Sequence, residues 1–261
     1  MVCDTSNDQQ VVDAGSGQIF DLNEDKRSEE SVGQPRAQGI LRLSCDVRQG
    51  QTNLSSLYQK GSLKALFPRP SDTRLDAVFL NTAGGITGGD NYRFEVDVSK
   101  DASLRITSQA AERVYKAQKA EVGNVAVAAK IAEEAKLHWL PQETIIFDEA
   151  RLRRSLSVDM AGSSELLCVE PMVFGRAAMG ETVQQADIRD LWEIRRDGEL
   201  VFADATKISG NLDELLSHAA IAGGNIASAA LLLVSPRAEA KLDRLRNDLG
   251  DLGGALSLIH I

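Results

Sequence analysis

The sequence predicts a mainly β chain whose strands are layered in a helical-like arrangement, with few α-helices. Three observations carry this expectation. Apolar and polar residues alternate from Tyr92 to Val98 and again from Leu152 to Met160, the two-residue period of half-buried strands. A strand end, a polar turn and a small residue two places before a leucine recur in Val98–Ile106, Ile131–Trp139 and Val158–Cys168. The leucines concerned, Leu104, Leu137 and Leu166, are 33 and 29 residues apart. An all-strand unit recurring at that interval suggests coiled or stacked β-layers, with an ordinary sandwich of similar hairpins as the alternative. Finally, helical periodicity is scarce before the C-terminal third.

Residues 1–36 are rich in Asp, Glu, Gln, Ser and Gly and poor in large apolar side chains. Such a segment buries too little surface to offset its ordering entropy, so a disordered extension is expected there, with a β-rich domain over residues 37–261. Ile40–Cys45 and Thr52–Leu54 read as strands around the turn Arg48–Gln51. Leu57–Lys64 follows, and Pro68 and Pro70 enforce extended backbone around Arg69. Asp76–Leu80 is a strand leading into a glycine-rich loop, and Tyr92–Val98 leaves it. Ala110–Ala120 has good helix formers but follows an alternating stretch, so its state is ambiguous. Trp192–Phe202 reads as a hairpin turning on Asp197-Gly198. Ala227–Val234 is a strand, and Pro236–Leu249, with Pro236 in the first turn, is the one clear helical pattern.

The loop Leu80–Asp90 places Gly84, Gly85, Gly88 and Gly89 within six positions, closed by Asp90. Two Gly-Gly pairs imply a sharply folded excursion between strands. The loop could present backbone N–H groups to an anion or a partner, or it could be a tight corner in a β domain. It lacks the spacing of a dinucleotide or phosphate-loop motif.

Composition narrows the function classes. With 29 Lys+Arg against 38 Asp+Glu, the chain has a formal net charge of -9. Nucleic acid and anionic membranes call for a concentrated positive field, so neither is an expected partner. Cys3, Cys45 and Cys168 are scattered without a C-x-x-C pair, which fits a reducing cytoplasm. No signal peptide or long apolar run is recognisable, and a cytoplasmic location is expected.

His138, His218 and His260 share no ligand spacing, so no tightly held metal or cofactor is expected. Cys168 with His138 could form a nucleophile and base on a hydrolase or transferase reading, as could the glycine loop, although Cys168 lies in an apolar run that suits a packed thiol. Arg151, Arg153 and Arg154 form a basic cluster. Alternation puts Arg151 and Arg153 on one face and Arg154 on the other, beside Leu152 and Leu156. The cluster reads as a surface for an acidic partner or as ion pairs with Asp148 and Glu149. Glu143, Asp148, Glu170 and Glu181 stand beside prolines, glycines or apolar strands, where carboxylates could line a polar passage for a divalent cation.

Several blocks also carry a family resemblance. Leu57–Lys64 with Phe67–Pro70, Leu80–Asp90, Thr107–Lys116, Leu140–Asp148, Ala150–Leu156 and Phe174–Glu181, in that order, resemble the urease accessory protein UreD (UreH) family. The resemblance spans roughly Gln38 to Leu249, and the ending Ala255–Ile261 departs from the family pattern, as a truncated or atypical C-terminus would. It implies a non-enzymatic maturation chaperone that binds apo-urease and recruits UreF and, through it, the nickel-carrying GTPase UreG. It also implies a mostly β fold with helical-like layering, and transient passage of nickel, for which Glu143, Asp148, Glu170 and Glu181 are the candidate carboxylates.

Overall fold

In a computed structural model, the structure describes residues 35–69, 72–118, 120–176, 179–219 and 221–250. The expected disordered extension, apart from Pro35 and Arg36, and the ending Ala255–Ile261 lie outside the described residues. The chain starts as a hairpin of β1 (Gln38–Arg48) and β2 (Gln51–Gly61), then enters a second sheet through antiparallel β3 (Leu63–Leu66) and β4 (Leu75–Asn81). From there it crosses repeatedly between two sheets. Strands β5 (Asn91–Val98), β8 (Gly123–Ile131), β11 (Ala150–Met160) and β13 (Gln185–Arg196) fall in one sheet. They alternate with β6 (Ser103–Ser108), β9 (Lys136–Trp139) and β12 (Glu165–Phe174) in the other. Because every return passes through the opposite sheet, these neighbours pair in parallel. Two short strands, β7 (Glu112–Val114) and β10 (Thr144–Ile146), resume β6 and β9 after a break. β14 (Glu199–Asn211) ends the first sheet antiparallel to β13, and β15 (Ala227–Val234) lies antiparallel to β12.

The recurring leucine is the inward residue of each coil. Leu104 pairs with Leu137, and Leu137 with Leu166, and all are fully buried. The small residue two places earlier sits inside each corner, where Ala102, Ala135 and Ser164 are 0 % exposed. Successive corners are joined by backbone bonds: the Lys136 amide donates to the Ala102 carbonyl at 2.8 Å, and the Glu165 amide to Ala135 at 2.9 Å. A sandwich of hairpins would pair consecutive strands antiparallel. The coiled reading of the repeat is the one realised.

Several local expectations change. The ambiguous stretch Ala110–Ala120 resolves near its start, where Glu112–Val114 pairs as β7 with β10. The helix expected from Pro236 starts late, with a short 3-10 turn at Glu239–Lys241 and then α2 (Leu242–Leu249). The Ser235 hydroxyl, which donates to Glu165 and accepts the Arg237 amide, holds the preceding residues in a turn. A further helix, α1 (Leu212–Ser217), passes unnoticed in the sequence; it is capped by Asn211, whose side chain accepts the Glu214 amide, and is anchored by buried Leu212. The hairpin at Asp197-Gly198 forms with both residues at positive φ, 52° and 84°, as a tight two-residue turn requires.

The leucine stack makes a testable point. Leu137→Ala removes a side chain packed between two equivalent ones, and should cost about 3 kcal/mol in urea unfolding. Ser157→Ala, on the exposed outer face of β11, should change stability by less than about 0.5 kcal/mol.

Candidate functional site

β11 turns one arginine inward. Ala150, Leu152, Leu156, Val158 and Met160 face the core, and Arg154 lies on their side of the strand with only 9 % of its side chain exposed. Parallel register sets Asp190 of β13 directly beside it. The guanidinium bridges Asp190 through two bonds, 2.6 and 3.1 Å, and reaches across the sheets to Glu170 of β12 at 2.7 Å. The other Glu170 oxygen accepts the Trp139 indole N–H at 2.7 Å, and the Thr144 hydroxyl lies 3.3 Å from Arg154. Five strands thus meet at one buried, hydrogen-bonded ion network. Burial pushes the Glu170 carboxyl up in pKa, against the pull of Arg154 and the Trp139 donor. Burial also opposes the charge of Arg154, but Glu170 and Asp190 outweigh it and hold the guanidinium firmly protonated.

The network forms one wall of a cavity of about 50 Å³ between the sheets. Phe79, Phe94 and Trp139 line it as a mutually packed aromatic group, with ring centroids 4.9 to 5.7 Å apart. The cavity also touches Ser108 and Gln142, where β6 and β9 are interrupted. Pro141 has no N–H to continue the ladder there, and the Ser108 hydroxyl accepts the Gln142 amide instead. Glu112 also lines this space. Burial raises its carboxyl pKa from 4.5 to about 7, despite weak donation from the Asn81 amide.

The four sequence candidates do not converge. Glu170 alone among them lines the cavity. Glu143 precedes β10, and its carbonyl accepts the Glu112 amide. Asp148 accepts the amides of Gln184 and Gln185, both at 2.8 Å. Glu181 pairs with Arg176, whose guanidinium lies over the Phe147 ring. Among the described residues, no three His, Cys, Asp or Glu side chains are grouped closely enough to hold a metal ion together. Glu112 and Asp190 were missed by sequence reasoning. Asp190 sits in a regular strand pattern, and only inward parity, an acid in the buried phase, could have marked it; Glu112 lies in Ala110–Ala120, where helix-forming residues hide a three-residue strand.

The basic cluster divides as alternation predicts, but its ion pairs differ from those expected. Arg153 pairs with Asp187 at 2.7 Å and Arg154 with Glu170 and Asp190, whereas Glu149 pairs with Lys116. Register, not sequence proximity, supplies the partners.

The glycine loop crosses from β4 to β5, and most of its amides are bonded within the protein. The Ile86 amide donates to Arg113, Gly89 to Val122, and Thr87 to the Asp90 carboxylate, whose other oxygen accepts the Ala37 amide. A side chain at Gly85, where φ is 151°, would collide with the Tyr115 ring and the Arg113 carbonyl. This geometry is that of a packed corner. Cys168 is likewise structural: it is 0 % exposed, and burial drives its thiol pKa well above the ordinary range. His138 pairs with Leu167 in register and so points to the opposite face, its imidazole 3.7 Å from Glu165. The nucleophile–base pairing is therefore not formed.

The chain matches the family model described as UreD urease accessory protein over residues 37–259. It is 47% identical over 220 residues to the urease accessory protein UreD of Mesorhizobium japonicum, covering 84% of this chain and 78% of that protein. It is 42% identical over 234 residues to the protein of the same name from Roseobacter denitrificans, covering 90% and 85%. No helix among the described residues is long and apolar enough to cross a membrane.

Two measurements test the site. Arg154→Met leaves two buried carboxylates facing each other without their cation, and should lower unfolding stability by about 3–5 kcal/mol. The second concerns Glu112. With a folded pKa of about 7 against 4.5 unfolded, the folded protein keeps a proton that the unfolded chain has released. Stability from this group is present below pH 4.5 and is lost as pH rises through 7, by an amount on the order of 3 kcal/mol. Denaturation curves from pH 5 to 8 should show a flatter fall for Glu112→Gln than for the wild type.

Proposed function

The chain belongs to the UreD urease accessory protein family, and on that premise we propose that it is a non-catalytic scaffold of urease maturation. It binds apo-urease, and it recruits UreF and, through UreF, the GTPase UreG that delivers nickel. The observation that carries this reading is the family match across nearly the whole β-rich region, with relatives that bear the name urease accessory protein UreD. We assign its work to the cytoplasm, in keeping with the unpaired, buried Cys45 and Cys168.

In this role nickel is cargo, passing transiently, and no cofactor is held tightly. The polar wall of the inter-sheet cavity, with Glu170 and Glu112, supports a passage between the sheets. Glu143, Asp148 and Glu181, around β10 and the turn that follows β12, are the further carboxylates assigned to it. Hard oxygen donors that are spread out rather than clustered bind a divalent ion weakly, as transit requires.

Co-expression with the urease structural subunits and UreF from the same source should yield a stable complex in a pull-down on this chain. Recovery of this chain alone would overturn the scaffold reading. For the passage, Glu143→Ala, Asp148→Ala and Glu181→Ala combined with Glu170→Gln, which preserves an acceptor for Trp139, should lower urease activation severalfold while the complex is still recovered. Unchanged activation would remove these carboxylates from the path.

A further inference from the structure

The outward face of the first sheet carries a charge arrangement that the urease reading does not use. Parallel and antiparallel register bring Arg153 of β11, Arg189 of β13 and Lys207 of β14 abreast on three adjacent strands. Arg151 lies two residues before Arg153 on the same face, with its cross-strand neighbour Asp187 and, beyond it, Ser209. Arg189 and Lys207 are exposed, and Arg151 is half-buried; none of the three forms an ion pair with a described residue. Asp187 is the acid within the cluster, and its Oδ2 is taken by Arg153. Glu149 lies at the upper margin of a cleft of about 410 Å³ that also includes Arg151, Asp187 and Ser209, and it is paired with Lys116.

Like charges set directly across neighbouring strands are destabilising; with Arg153 taken by Asp187, the unpaired Arg189 and Lys207, and Arg151 beside them, mark a local field that an anion can relieve. Below the row lies a neutral band of Ala205, Leu191, Ser155 and Ala126, with Leu191 44 % exposed. Three strands span about 10 Å. Carboxylates at positions i, i+4 and i+7 of a helix span about the same length, and an apolar residue beside them would cover Leu191.

We propose that the face of β11, β13 and β14 formed by Arg151, Arg153, Arg189 and Lys207 is a docking surface for a carboxylate-rich helical segment of a partner protein. The inference stands apart from the identity of that partner and from the urease reading. Its test uses a fluorescent helical peptide with Glu at i, i+4 and i+7, the same peptide with Gln in their place, and a single-stranded DNA 12-mer, titrated by anisotropy against the full chain. The Glu peptide should bind, and binding should weaken as salt rises. Arg189→Glu with Lys207→Glu should weaken it at least tenfold, while the charge-matched Lys60→Glu with Lys130→Glu, on exposed positions elsewhere on the same sheet, should change it less than twofold. Equal loss in both variants, equal binding of the Gln peptide, or tighter binding of the DNA would overturn the proposal.

Discussion

In-register parallel pairing between successive coils sets each residue beside its counterpart one turn earlier, and much of the molecule follows from that. Leucine falls on leucine in Leu104, Leu137 and Leu166, and small corner residues fall on small corner residues. The pairing that builds an apolar spine on the inside also lines up Arg153, Arg189 and Lys207 on the outside. A slip of one residue along β11 would expose Leu152 and Leu156 and bury Arg151 and Arg153, so burial holds the register firmly.

In the Arg154 network the interior between the sheets becomes charged. Buried ions of this kind seldom add net stability compared with apolar packing of the same volume, because desolvation offsets most of the attraction. What the network supplies is position. A guanidinium held from two sides fixes how β11 and β13 sit relative to β9, β10 and β12, and it keeps polar atoms at the wall of an otherwise aromatic cavity.

Much of the fold could be read in the sequence, because it is written in local periodicity. The alternation of Tyr92–Val98 and Leu152–Met160 and the recurring small-x-Leu signal required no knowledge of distant residues. The inward direction of Arg154 was legible for the same reason. Its partners were not, since Glu170 and Asp190 lie 16 and 36 residues away and reach it only by way of the coil. Glu112 escaped notice because its unusual proton affinity comes from burial beside a strand break, which no spacing rule records. The glycine loop was legible as a sharp turn, while the assignment of its donors to Arg113, Val122 and Asp90 needed coordinates.

The uncovered last strand carries a further consequence. A stack in which each layer touches mainly its neighbours opens from its ends, layer by layer, rather than all at once. β14 is exposed along most of both faces and forms the boundary of the first sheet. Fraying that spread from β14 into β13 would carry off Asp190, one of the two counter-ions of Arg154, while β5, β8 and β11 kept their pairing. Loss of Asp190 would leave Arg154 with Glu170, across the sheets, as its remaining counter-ion, so the ion network would weaken while the leucine spine stayed paired.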